Sequence, residues 1–291
     1  MTEFVILVTA GLANGSLYAL VALGLVLIYK AQDMVQFGFG EIFMAGAFIG
    51  YSAYSFLGLS YPASFLLAIL AGGLVGLLIE RGLIRPIAHY PHMTLVMVTV
   101  GLSFMLRGVF RIPFAQDVYT IPPMFGGSPI IIFDLIFASQ NLVTTATSLV
   151  LTLALLLLFA FTDLGKQMRA TAENMYGAQY SGINIGLVFA TTWGLASAMG
   201  AAAGILSAPI TALFPDMGTR ILIRAFAAAV LGGFGSIPGA IVGGYLIGVI
   251  ETLCGFYVAT ALIDLSAFLV IMVVLIFWPR GLFGTKEITR V

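Results

Sequence analysis

Apolar segments at 4–29, 42–58, 62–84, 93–112, 142–162, 186–206, 221–235, 239–258 and 262–279 follow one another with short polar breaks between them. A helix that crosses a bilayer needs about 20 mostly apolar residues. In hydrocarbon every backbone N–H and C=O must be satisfied within the protein. Such a recurrence therefore dictates an all-α polytopic membrane protein, a bundle of about eight or nine transmembrane helices. The segment 221–235 is short and Gly-rich and reads as a half-helix, so broken or re-entrant stretches belong to the expected fold. The whole chain, 1–291, reads as one transmembrane domain with two longer polar intervals, 163–185 and 115–140.

Composition agrees. Of 291 residues 61% are hydrophobic and 8% charged, against about 25% charged in soluble domains, and mean hydropathy is +1.12. Twelve basic and twelve acidic residues balance, so no bulk charge attracts nucleic acid. The single Cys254 excludes an internal disulfide, and a thiolate metal site is not expected. His89 and His92, in a short Pro-flanked loop, lack the third ligand a metal needs. The chain has no phosphate-binding Gly-x-x-x-x-Gly-Lys-Ser/Thr loop, no Gly-x-Ser-x-Gly elbow and no His-Glu-x-x-His pair, so no catalytic constellation is expected.

Lys30, Arg81, Arg85, Lys166, Arg169, Arg280, Lys286 and Arg290 fall on one side when the spans alternate from an outside N-terminus, and that side is the cytoplasm by the positive-inside rule. The start carries Glu3 and no basic residue, the wrong polarity for a cleaved signal peptide. The longest polar interval, Asp163 to Ile185, then lies inside and predicts a short helix beneath the membrane, a handle for a soluble partner. The interval 115–140, with Pro122, Pro123, Gly126-Gly127 and Pro129, predicts an outer cap or docking loop.

Gly-x-x-x-Gly recurs at Gly11/Gly15, Gly46/Gly50, Gly72/Gly76, Gly200/Gly204, Gly239/Gly243 and Gly244/Gly248, a pattern that lets helix backbones approach closely. The triplet Gly-Leu-Ala at 11–13 returns at 194–196 in a span of opposite direction, as an inverted repeat would produce.

Ionisable or polar residues inside spans are candidate sites because each costs about 3 kcal/mol or more unless it faces protein or water. Glu41 follows Gln36-Phe37-Gly38-Phe39-Gly40, a broken approach to the second span. It suits either a path or gate, or a cap on helix donors. Glu251 suits a buried pair with a neighbouring basic group or a place in the path. Asn14 can donate to a solute or to an adjacent helix. Arg107/Arg111 and Arg220/Arg224 are i, i+4 pairs near the outer end. They either draw a carboxylate inward, or snorkel to the outer headgroups or pair with Asp117 and Asp216.

The strings Gly24-Leu25-Val26-Leu27-Ile28-Tyr29, Val35 to Glu41, Arg169-Ala170-Thr171-Ala172-Glu173-Asn174 through Gly177 to Gly182-Ile183-Asn184, Ala225 to Gly244, and Pro279 to Gly284 resemble the LivH-type permease family of branched-chain amino acid ABC transporters, nearly end to end. Many relatives carry His where this chain has Phe39, so no imidazole role is carried over. The resemblance implies an ATP-driven importer in a prokaryotic inner membrane. Its parts would be this permease, a LivM-like second permease, two cytoplasmic LivG/LivF-like ATPases that bind ATP and Mg, and an extracytoplasmic binding protein. The ATPases would grip Arg169, Ala170, Ala172, Glu173, Asn174, Gly177, Gly182 and Ile183; Asn14, Gly38, Phe39, Gly40, Glu41 and Glu251 would belong to the path. A urea, short-amide or small organic acid permease of the same architecture, and an ion-coupled carrier using Glu41 and Glu251, are the competing readings.

Overall fold

The computed structural model describes residues 2–115, 117–124, 128–132, 135–260 and 262–284. Gly126-Gly127, Lys286 and Arg290 lie outside the described residues. The chain runs α1 (Thr2–Gln32), α2 (Phe39–Ser55) and α3 (Tyr61–Ile79), which continues through a π-helical turn (Glu80–Ile84) into α4 (Arg85–Ile87). Then come α5 (His92–Phe114), a hairpin of β1 (Ile130–Ile132) and β2 (Leu135–Phe137), α6 (Ser139–Phe161), α7 (Asp163–Glu173) and α8 (Met175–Tyr180). The last four are α9 (Ile185–Ser207), α10 (Met217–Gly232), α11 (Ile237–Tyr257) and α12 (Leu262–Phe277).

Each expected apolar segment is a helix, but not all are full spans. Among the described residues six helices are long and apolar enough to cross a bilayer, at 3–32, 61–87, 92–114, 139–161, 185–207 and 237–257. α2, α10 and α12 have 17, 16 and 16 residues. At 1.5 Å per residue these reach about 24–26 Å, less than a hydrocarbon core of about 30 Å. Residues 33–38 and 208–216 precede α2 and α10, so two of the expected crossings are helices that begin inside the bundle.

The N-termini of α2 and α10 meet. Gly40 packs against the Gly218 carbonyl and Gly218 against the Gly40 carbonyl, a backbone approach that any side chain at either position would block. From there α2 runs along α9, with Gly46 against Ala201 and Gly50 against Ile205. α10 runs the other way to its end against α11, where Gly232 meets Gly239. The same scheme relates their neighbours: α1 packs on α11 as α9 packs on α3, and α1 also packs on α9. The Gly-Leu-Ala triplets occupy matching places, residue 11 in a helix from 2 and residue 194 in a helix from 185. Gly11 faces Val249 of α11 and Gly194 faces Leu77 of α3. These matching contacts are the arrangement an inverted repeat would produce.

All six Gly-x-x-x-Gly pairs lie against helices of this same chain. The apolar side chains left outside, such as Leu66, Leu70, Leu74 and Leu78 on α3 and Phe268, Met272 and Ile276 on α12, suit lipid or a further membrane subunit.

Candidate functional site

The charged residues sort to opposite ends of the bundle. At one end Lys30 shares a cleft with Thr171 and Ala172, and a second with Arg169. Arg280 stands beside Lys30 and Tyr29, and Arg85 donates to the Gly186 carbonyl at 2.5 Å. At the other end stand Arg107, Arg111, Arg220 and Arg224. Lys30, Arg85, Arg169 and Arg280 thus gather at one end and the four arginines of α5 and α10 at the other; Lys286 and Arg290 of the expected group lie outside the described residues.

At the Lys30 end the interval 163–185 forms two helices where a single short one was expected, and capping explains both. Thr162 opens α7 by accepting from the Gly165 amide at 3.1 Å. Asn174, in extended conformation, ends α7 and opens α8, its Oδ1 accepting from the Gly177 amide at 2.8 Å. Gly182 closes α8 at φ +84°, donating to the Gln179 carbonyl, while Ile183 donates to that of Ala178. That is a Schellman closure, which needs a residue tolerant of left-handed backbone. Asn184 then opens α9 by accepting from Leu187 at 3.1 Å. Gly165, Met168 and Thr171 form the buried face of α7.

Arg169 turns back and donates to the Phe159 carbonyl, covering the C-terminus of α6. Ala170 and Ala172 are half-buried, and Glu173 projects outward. The most exposed apolar surface here was not anticipated: Met175, Tyr176 and Tyr180 stand out from α8, Tyr180 at 91% exposure. Asp163 pairs with Lys166 at 2.9 Å, and that hydrogen bond holds its carboxyl below its ordinary 3.8.

Two strings from the sequence also meet at this end. Leu282 and Phe283 donate to the Leu231 and Gly232 carbonyls at 2.8 and 3.0 Å, satisfying the last turn of α10. Glu80, 1% exposed, was missed: it holds Arg85 with two hydrogen bonds of 3.0 and 2.8 Å. The signal was present, an acid at the edge of an apolar run with Arg85 five residues on.

At the opposite end the first half of α10 organises two ionic groups. On one side Arg107 of α5 reaches Glu41 Oε1 at 2.5 Å and Thr219 at 2.7 Å. Its Nε lies 3.4 Å from Asp216, and Arg111 donates to the same carboxylate at 2.7 Å. Glu41 is 2% exposed, makes no cap on α2, and points its second oxygen at Gly218 in the first turn of α10, where the helix dipole favours negative charge. Asp216 takes both arginines, and Asp117 takes neither.

On the other side Arg224 spans Glu251 of α11, at 2.9 and 3.0 Å, and Asp264 of α12, at 2.9 Å. Its guanidinium lies 5.9 Å from the Tyr18 ring centre. Glu251, 5% exposed, is thus a buried pair. Arg220 differs from the other three, for among the described residues it enters no ion pair and rests 5.4 Å from the Phe214 ring. Asn14, Arg220, Arg224 and Glu251 together line one cleft.

Gly38 packs against the Thr99 carbonyl, with the Phe37 amide donating to the Thr99 hydroxyl at 3.3 Å. Phe39 is fully buried, its ring seated between Gly24 of α1 and Gly200 of α9. It is a wedge between two helices.

Residues 7–278 match the family described as the permease component of branched-chain amino acid transport systems. Similar proteins include the high-affinity branched-chain amino acid permease LivH of Salmonella typhimurium, 31% identical, with 97% of this chain and 96% of the relative covered. LivH of Escherichia coli is 30% identical with the same coverage, and BraD of Pseudomonas aeruginosa is 32% identical, again over 97% and 96%. A shorter likeness, 35% over 112 residues, links 36% of this chain to the autoinducer 2 import permease LsrC of Salmonella paratyphi B. The chain belongs to the permease-component family of branched-chain amino acid transport systems.

Proposed function

We propose that this chain is one of two membrane halves of an ATP-driven importer for branched-chain or other apolar amino acids, set in a prokaryotic inner membrane with its Lys30 end in the cytoplasm. A LivM-like permease forms the other half. Two LivG/LivF-like ATPases carry ATP and Mg, and an extracytoplasmic binding protein delivers the cargo. The observation that carries this reading is α8, a short, firmly capped helix at the basic end that exposes Met175, Tyr176 and Tyr180 to solvent. An apolar, aromatic knob on a polar elbow suits a protein partner, because aromatic side chains anchor interfaces. Pushing on it tilts α7 against α1, α6 and α9, which moves the bundle as rigid elements between outward and inward openings.

The ion-coupled alternative fits less well. A coupling acid must gain and lose its proton or cation during the cycle, yet Glu41 and Glu251 are both held by arginines from other helices.

The test is reconstitution in vesicles with the partner subunits. Leucine uptake should require ATP, persist when the proton gradient is collapsed at constant ATP, and resist competition by urea. Uptake without the ATPases, or uptake lost with the gradient, would overturn the assignment. Replacing Tyr176 and Tyr180 together by Ala should lower ATP-dependent uptake about tenfold or more, since interface aromatics are each worth about 2 kcal/mol.

A further inference from the structure

Three of the four arginines at the far end are already neutralised, and the fourth faces a cavity. Between α1, α2, α9, α10 and α11 lies a cleft of about 240 Å³, room for a small organic solute, where one water takes about 30 Å³. Arg220 and Thr211 stand exposed at its mouth. Asn14 lines it too, and within the described residues its carboxamide makes no hydrogen bond. Leu17, Phe43, Met217 and Ile221 supply an apolar wall. Behind them Arg224 is spent on Glu251 and Asp264, so the positive charge left for a guest is that of Arg220.

We propose that this cleft is a solute subsite within the single chain, with Arg220 taking the carboxylate of an α-amino acid. Asn14 and Thr211 accept from its ammonium group, and the aliphatic side chain lies on the apolar wall. The geometry favours this class over neutral amides: an unpaired guanidinium beside an apolar surface gains a charge-assisted, two-pronged bond only from a carboxylate or similar oxyanion. The rigid pair Arg224–Glu251 serves as the floor, holding α10 to α11 so that Arg220 stays at the rim. This subsite rests on the importer reading, but its test is separate from that reading's.

The experiment is equilibrium binding of labelled leucine to the purified complete assembly in lipid nanodiscs, without the binding protein, alongside leucine uptake in vesicles. Wild-type assembly should bind leucine saturably and leucinamide about tenfold more weakly, the range one charge-assisted bond provides. R220Q should weaken leucine about tenfold and erase the preference over leucinamide, and R220K should restore part of it. R81Q, at the opposite end, is the control and should bind leucine as wild type does, and an unchanged elution volume and subunit ratio in size exclusion show that R220Q assembles. Leucine bound equally by wild type and R220Q, equal binding of leucine and leucinamide by wild type, or leucine uptake with no binding at all would each overturn the subsite while leaving the importer intact. Failure of wild type to take up leucine would instead overturn the importer reading.

Discussion

The elbow at 163–185 and the junction around the first half of α10 are both polar regions in a chain that is 8% charged, yet they handle polarity in opposite ways. In the elbow, partners are local: Thr162 with Gly165, Asn174 with Gly177, Asn184 with Leu187, and Asp163 with Lys166. Apart from Arg169, which turns back onto the Phe159 carbonyl, its charged side chains face out. At the junction, partners come from other helices: Glu41 with Arg107, Asp216 with Arg111, Glu251 with Arg224 and Arg224 with Asp264. Glu41 and Glu251 are buried. The elbow thus keeps its shape by itself and offers its surface to something else, whereas the junction spends its charges on holding α2, α5, α10, α11 and α12 together. Changes at the junction should cost stability, and changes in the elbow should cost coupling.

The largest effect should follow from Arg224→Ala. Glu251, 5% exposed, would be left as an unpaired acid inside the bundle, and breaking a buried pair from one side costs about 3–5 kcal/mol. The thermal midpoint of the detergent-solubilised protein should fall sharply, and removing the acid as well, in Arg224→Met with Glu251→Leu, should recover much of the loss. A single variant as stable as wild type would erase the contrast between the two regions.

How much of this was legible follows the same division. The helices were legible because length and apolarity decide them. The caps of the elbow were legible as residues if not as roles, since Asn174, Gly182 and Asn184 act within four positions of themselves. Even so, one helix was expected where Asn174 makes two. The expected starts of the second and seventh segments, 42 and 221, fell inside helices that begin at Phe39 and Met217. Glu41 and Arg220 made those first turns look unlike membrane. Which acid meets which arginine was not legible, because Glu41 and Arg107 are neighbours only after α2 and α5 have packed. The hairpin Ile130–Ile132 with Leu135–Phe137, inside the interval expected to be a plain loop, was likewise invisible. Glu80 and Arg85 were legible as an acid and a base five apart, but only a π-helical turn brings residues at that spacing together.

An intermediate effect belongs to the caps. Gly182→Ala forces a β-carbon into left-handed backbone at about 1–2 kcal/mol, and Asn174→Ala removes an N-cap worth about 1 kcal/mol. Both should speed amide exchange in α8 and lower ATP-dependent uptake several-fold, with the global thermal midpoint nearly unchanged. A drop in the midpoint as large as that of Arg224→Ala would mean the elbow holds the bundle together as the junction does.

The smallest effect is set by pH. Hydrogen bonding to Lys166 holds the Asp163 carboxyl below its ordinary 3.8. A carboxyl whose folded value is depressed stabilises the fold above its unfolded value, and that contribution is lost as pH falls through the folded value. The pair should therefore be constant from neutral pH down to the ordinary aspartate range and fade only below it. Because Asp163 is exposed, at the N-terminal turn of α7 where the dipole also favours its charge, screening should suppress the effect in about 1 M salt, where the Debye length is about 3 Å. Asp163→Asn should thus speed amide exchange in the first turn of α7 slightly at neutral pH and low salt, and match wild type in acid or in high salt. A difference that survives high salt would mean that Asp163 acts through a buried, long-range partner, and the elbow's polarity would no longer be local.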